Sequence, residues 1–132
     1  MREAIITPQW REFYEATGIP AAVRVGQSVR LTGHTGTRLD GSFSADLTEQ
    51  SRQTFENIAD TLAAAGCTWA DVEEITAYHV GLQAQGDLVL EVAEQFMSKP
   101  FPAWSAIGVT ELYEPDAVVE IRVIATIPTV QP

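Results

Sequence analysis

The chain has 132 residues, of which 45% are apolar and 20% charged, which suits one domain with an ordinary core. Acidic residues number 18 against 8 basic ones, for a net charge of −10. That balance does not suit a phosphate-tracking surface or a nucleic-acid partner, because such a surface needs clustered lysine and arginine and this chain has one lysine, Lys99, and scattered arginines. Apolar runs are too short to span a bilayer, and Met1-Arg2-Glu3 opens no leader peptide, so a cytoplasmic location with no membrane contact is the expectation. Cys67 is the single cysteine, and no internal disulfide can form.

In chain order, a short strand is expected at Ala4–Thr7, followed by an irregular or briefly helical arm around Trp10–Tyr14. Ala22–Val25 and Ser28–Thr32 flank Gly26-Gln27 and read as a hairpin. Asp46–Ala65 is the clearest helix. Leu47, Phe55, Ile58, Leu62 and Ala65 share one side with Ser51 and Thr54, Asp46 fits an N-cap with Glu49 three residues on, and Gly66 fits the stop. Val72–Gly81 reads as a strand. Asp87–Met97 reads as a second helix, with Val89, Val92, Ala93, Phe96 and Met97 on one face and Pro100 and Pro102 beyond it. Trp104–Leu112 and Val118–Ile127 read as strands joined by the turn Tyr113-Glu114-Pro115-Asp116.

This order, β-β-β-α-β-α-β-β, implies an α+β fold: a mixed sheet with two helices on one face. In the last strand Val119, Ile121, Val123, Ala125 and Ile127 alternate with Val118, Glu120, Arg122, Ile124 and Thr126. The first set should meet the helices. The second mixes charge with apolar side chains, as on a sheet face covered by another subunit.

No metal-ligand spacing occurs: His34 and His79 are far apart and HExxH is absent. No GxSxG or P-loop is present, and Gly33-x-x-Gly36 is too short for a nucleotide fingerprint. No metal and no cofactor are therefore expected. Glu120 interrupts an apolar strand, where a carboxylate is costly unless it is paired, solvated or functional. Gly33 ends a strand and suits either a bulge or close approach of a ligand to the backbone. His34 beside it is either an acid–base group or a residue without a role. Trp104 is either a packing residue or the wall of a pocket.

Thr32-Gly33, the Asp46–Gly66 helix, AAAGCTWADVEEITAYHV, PFPAWSAIGVTEL and VVEIRVIATI together resemble the Rid (YjgF-type) family of enamine/imine deaminases. The likeness runs over residues 20–128, in a single Rid-like domain with residues 1–20 as an N-terminal arm. It is strongest to a YjgH-like branch, where P-x-W-[ST]-A-[IV]-G-V-T replaces P-A-R-S. The resemblance implies a chorismate-mutase-like fold of the Bacillus type, a homotrimer with a small-molecule cleft between subunits, and hydrolysis of a reactive imine to a keto acid and ammonia without metal or cofactor. Residue by residue, it carries over Gly33 and Glu120. Trp104 replaces the family's carboxylate-binding arginine, Ala106 stands at a cysteine position, and Ile19 and Leu90 align with a tyrosine and an asparagine.

The expected function is thus a Rid-like hydrolase on a small non-carboxylate, apolar or aromatic substrate. Glu120 and His34 are its catalytic candidates, and Gly33, Trp104, Ser105, Ala106, Ile19 and Leu90 contact the substrate. The alternatives are a non-catalytic trimeric small-molecule binder and, less compatible with the charge, an endoribonuclease.

Overall fold

The computed structural model describes residues 1–129. Six strands form one sheet: β1 (Glu3–Ile5), β2 (Ala22–Val25), β3 (Ser28–Leu31), β4 (Val72–His79), β5 (Ala103–Gly108) and β6 (Val119–Thr126), in the spatial order β1-β2-β3-β6-β4-β5. The last strand in sequence is thus central, antiparallel to both β3 and β4, while β4 and β5 are parallel. A parallel pair needs a crossover, and α3 (Leu82–Ala93) supplies it. The expected α+β architecture with a mixed sheet is what forms.

The core lies between the sheet and α2 (Leu47–Ala64) with α3. Val119, Ile121, Val123 and Ala125 of β6 are fully buried, as are Phe55 and Ile58 of α2 and Ala93 of α3, and Val89 and Val92 of α3 are nearly so. Alternation leaves Glu120, Arg122, Ile124 and Thr126 on the opposite face, half-buried or exposed.

The ends of α2 follow its local chemistry. The Asp46 carboxylate accepts the Glu49 N–H at 2.9 Å. At the other end Gly66 adopts φ 82°. The Cys67 N–H then reaches the Leu62 carbonyl and the Gly66 N–H that of Ala63, a Schellman closure that buries Cys67 against the core. Asp46→Ala should cost about 1 kcal/mol through the orphaned first-turn N–H, read as a lower urea midpoint at unchanged slope.

The arm is briefly helical, one of the two forms expected: α1 (Arg11–Thr17) is stopped by Gly18 at φ 79°. Two other expectations need correction. The second expected helix starts at Leu82 rather than Asp87 and ends at Ala93. The left-handed Gly81 opens it, and the Gln85 amide donates back to the Val80 carbonyl, so Gly86 is carried inside. Phe96 and Met97 reach the core from the turn beyond. The strand after Pro102 ends at Gly108 rather than Leu112, because its only strand partner, β4, ends at His79 and turns into α3.

Candidate active site

β3 and β6 pair with residue numbers summing to 154 (Arg30↔Ile124), yet His34 bridges Ile121, a sum of 155. One extra residue is therefore accommodated between Leu31 and His34. This is a bulge, and bulged residues leave the ladder. Gly33 sits in it against Glu120. A Cβ on Gly33 would lie 2.5 Å from Glu120 Oε2, and Gly33 does not have positive φ, so space rather than backbone conformation requires the glycine.

A cavity of about 630 Å³ opens at this bulge. Gly33 and Glu120 form its floor, Trp10, Phe13 and Tyr113 supply aromatic walls, and Ile19 adds an aliphatic edge. The α1 arm thus contributes much of the wall, which explains its order: Trp10 meets Phe13 edge-on at 5.4 Å and lies over the His34 ring at 4.9 Å.

Glu120 is half-buried, and its carboxyl is pushed above its ordinary range, chiefly by burial and secondarily by the negative charge of Glu114. Glu114 faces the same cavity. It accepts the Thr35 hydroxyl at 3.0 Å and the Thr37 hydroxyl at 3.2 Å. The 35–37 segment is itself clamped: Asn57 Nδ2 donates to the carbonyls of Thr35 and Thr37 at 2.9 and 2.8 Å, and Gln9 Nε2 to that of Thr37 at 3.1 Å. Gly36 lets this segment lie on α2, where a Cβ would meet the Gln50 carbonyl oxygen at 2.3 Å. The sequence marks Glu114 only as part of a turn, and Asn57 not at all. The signal was faint: a helix whose buried side carries Gln50, Ser51, Thr54, Asn57 and Thr61 presents polar groups that seek partners, and Gln50 and Asn57 find backbone carbonyls of neighbouring segments while Thr61 meets His34.

His34 is buried. Its Nδ1–H donates to the Thr32 carbonyl at 2.6 Å, so Nε2 is the acceptor of the Thr61 hydroxyl at 2.8 Å. Burial lowers its pKa to about 4, the Thr32 bond opposing only in part. The ring is thus neutral, with both nitrogens committed to Thr32 and Thr61 beside the bulge at Gly33. His79 is buried as well, its Nδ1 3.3 Å from Gln85 Oε1.

The two glycines predict different outcomes. Gly33→Ala would press on the Glu120 side chain from Oε2 to Cγ, so it should displace the carboxyl and weaken ligand binding in the cavity at a smaller stability cost than a clash with backbone. Gly36→Ala pushes on helix backbone and should cost about 1–3 kcal/mol. Thermal melts and ligand titrations of both variants check this.

Of the expected substrate contacts, Gly33, Glu120 and Ile19 come together, with His34 behind them. Trp104, Ser105, Ala106 and Leu90 do not join them within one chain. Trp104 lies on edge strand β5, partly buried with its ring 6.0 Å from Phe101, Ser105 and Ala106 are exposed on the same strand, and Leu90 is exposed on α3. Among the described residues no group of three His, Cys, Asp or Glu is placed to hold a metal ion, and no helix is long and apolar enough to cross a membrane.

The six-stranded mixed sheet with its helices on one face defines a chorismate-mutase-like α+β fold. The family model described as Endoribonuclease L-PSP matches residues 13–127, and the chain belongs to this YjgF/Rid family. It is 37% identical over 128 residues to the RutC family protein YjgH of Escherichia coli (strain K12), covering 96% of each. The solved structure of protein YJGH matches with a TM-score of 0.86 at 36% identity over 98% of each chain. The 2-iminobutanoate/2-iminopropanoate deaminase of Dermatophagoides farinae is 31% identical over 110 residues, covering 80% of this chain and 83% of that protein. Rv2704 of Mycobacterium tuberculosis, a member of the YjgF/YER057c/UK114 family, matches with a TM-score of 0.81 at 32% identity over 96% of this chain and 99% of its own.

Proposed function

We propose that this protein hydrolyses a small enamine or imine that lacks a carboxylate. The observation that carries this reading is the Glu120 carboxyl, raised in pKa and facing an aromatic-walled cavity at the Gly33 bulge. A carboxylate with a raised pKa is the stronger base, which suits proton exchange with water. Glu120 takes a proton from water as the oxygen adds to the C=N carbon and passes it to nitrogen, then moves the carbinol hydroxyl proton to nitrogen as the C–N bond breaks. The Gly33 backbone lies beside the reacting carbon, and the walls exclude bulk water. Family membership and the relative named for iminobutanoate and iminopropanoate deamination support the reaction class. Trp104 at the arginine position supports a substrate without a carboxylate, because an indole offers no charge-assisted bidentate contact.

The proposed active assembly is a homotrimer. β5 is an edge strand exposed along most of its length, with Ile107 41% and nearby Leu90 38% exposed, and a second copy docked there would cover them. In that arrangement Trp104, Ser105, Ala106 and Leu90 of one copy would complete the cavity of the next. An endoribonuclease reading fits poorly, because Glu114 and Glu120 would repel a phosphodiester. A non-catalytic binder is favoured by one observation: Trp104 and Ala106 remove polar groups that the family resemblance expects. The deciding experiment supplies purified protein with a freshly generated aryl-substituted imine and its α-carboxylated counterpart and follows ammonia release. Faster release from the carboxylate-free imine supports the proposal. Preference for the carboxylated one, or saturable binding without ammonia, would overturn it.

A further inference from the structure

We infer that the cavity selects a positively charged nitrogen, a protonated amine or iminium on an apolar or aromatic body, and that Glu114 is its specificity-determining counter-charge. The bound nitrogen would meet two carboxylates and no cation: among the described lining residues there is no lysine or arginine, and the one histidine is neutral and turned to Thr32 and Thr61. Glu114 is built into place rather than left on a solvated loop. Each of its oxygens accepts one threonine hydroxyl, and those threonines are clamped by Asn57 and Gln9. An ionised carboxylate has about four acceptor positions, so two remain free for a ligand. Trp10, Phe13 and Tyr113 present π faces and edges around the same space, which suits a cation and its hydrocarbon body. The two carboxylates divide the work. Glu114, held by two hydroxyl donors, faces the nitrogen; Glu120, desolvated, exchanges the proton. For an iminium the balance closes. Water adds to the carbon as the C=N electron pair moves to nitrogen, and Glu120 accepts one proton and hands it to that nitrogen. As the C–N bond breaks, Glu120 takes the second proton from the carbinol hydroxyl and passes it to the departing ammonia, which leaves a ketone and an ammonium ion.

The binding claim stands apart from turnover, although the assignment of the nitrogen as the reacting atom rests on the hydrolase reading. Calorimetric titration with benzylammonium, benzyl alcohol and benzoate, three ligands of one shape and different charge, tests it. Benzylammonium should bind at least tenfold tighter than benzyl alcohol, benzoate should bind more weakly than either, and added salt should weaken only the ammonium. In Glu114→Gln the ammonium advantage should shrink to less than threefold while the Kd for benzyl alcohol stays within twofold. Should that variant fail to fold, the charge series and salt dependence of the unaltered protein decide alone. Benzoate binding as tightly as benzylammonium, no measurable benzylammonium binding at millimolar concentration, or an intact preference in folded Glu114→Gln would each overturn the inference. A preference for ammonium without any imine hydrolysis would sink the hydrolase and leave this selectivity standing. Hydrolysis with a preference for benzoate would do the reverse.

Discussion

Glu120→Gln is expected to lower imine hydrolysis by at least about 100-fold, the scale on which a positioned general base contributes. The amide keeps the size and planarity of the carboxylate and still fits against Gly33, so stability and cavity shape should hold. What it loses is the capacity to accept a proton from the attacking water. The pH profile of kcat/KM adds a second readout. Burial and the neighbouring charge of Glu114 raise the Glu120 pKa, so activity should rise with pH through a value above the ordinary carboxylate range. Glu114→Gln should move that inflection down, because it removes the smaller of the two causes. Turnover in Glu120→Gln equal to that of the unaltered protein would refute the mechanism, and an unmoved inflection in Glu114→Gln would refute the coupling of the two carboxylates.

His34 carries the other large effect, and it falls on stability. Its pKa is 6.5 in an unfolded chain and about 4 when folded. Below pH 6.5 the unfolded chain takes up a proton that the folded chain refuses until about pH 4. The contribution is therefore complete above pH 6.5 and is lost as pH falls through the window to about 4. At about 1.4 kcal/mol per pH unit, most of about 3 kcal/mol disappears by pH 4.5. Glu120 acts in the opposite sense. Its folded pKa is raised, so the folded chain binds that proton first and gains stability as pH drops. Urea unfolding at pH 7.5 and pH 4.5 should show the unaltered protein losing about 2–3 kcal/mol more than His34→Gln, which lacks the titrating ring. Equal losses in the two proteins would show that His34 titrates in the folded state like an exposed histidine.

Glu120 was conspicuous in the sequence because a charge inside an apolar alternation violates a local rule, and local rules can be read from a single chain. Gly33 was visible as a strand end, although its tight approach to Glu120 was not. The surroundings of His34 were not legible for a definite reason. A histidine at a strand end looks accessible until a helix 27 residues away supplies Thr61 to its far nitrogen. Glu114 was hidden by greater distance still, since its partners Thr35 and Thr37 lie 79 and 77 residues away. A turn sequence carries no mark of which loop it will face.

The sequence by itself determined the elements whose causes are short-range. The Asp46 cap, the Gly66 stop, the two-residue alternation of β6 and the apolar stripe of α3 follow from residues a few positions apart. Together with the family resemblance they were enough for the α+β sheet and its covered face. Only the tertiary structure decided where the chemistry lies. It placed β6 at the centre of the sheet, folded the α1 arm over His34, joined Glu114 to Glu120 across one cavity, and left Trp104 on an edge away from both. The physical reason is that a cavity is bounded by segments remote in sequence. Their meeting is set by the packing of the whole sheet against its helices, and no periodicity within one segment records it.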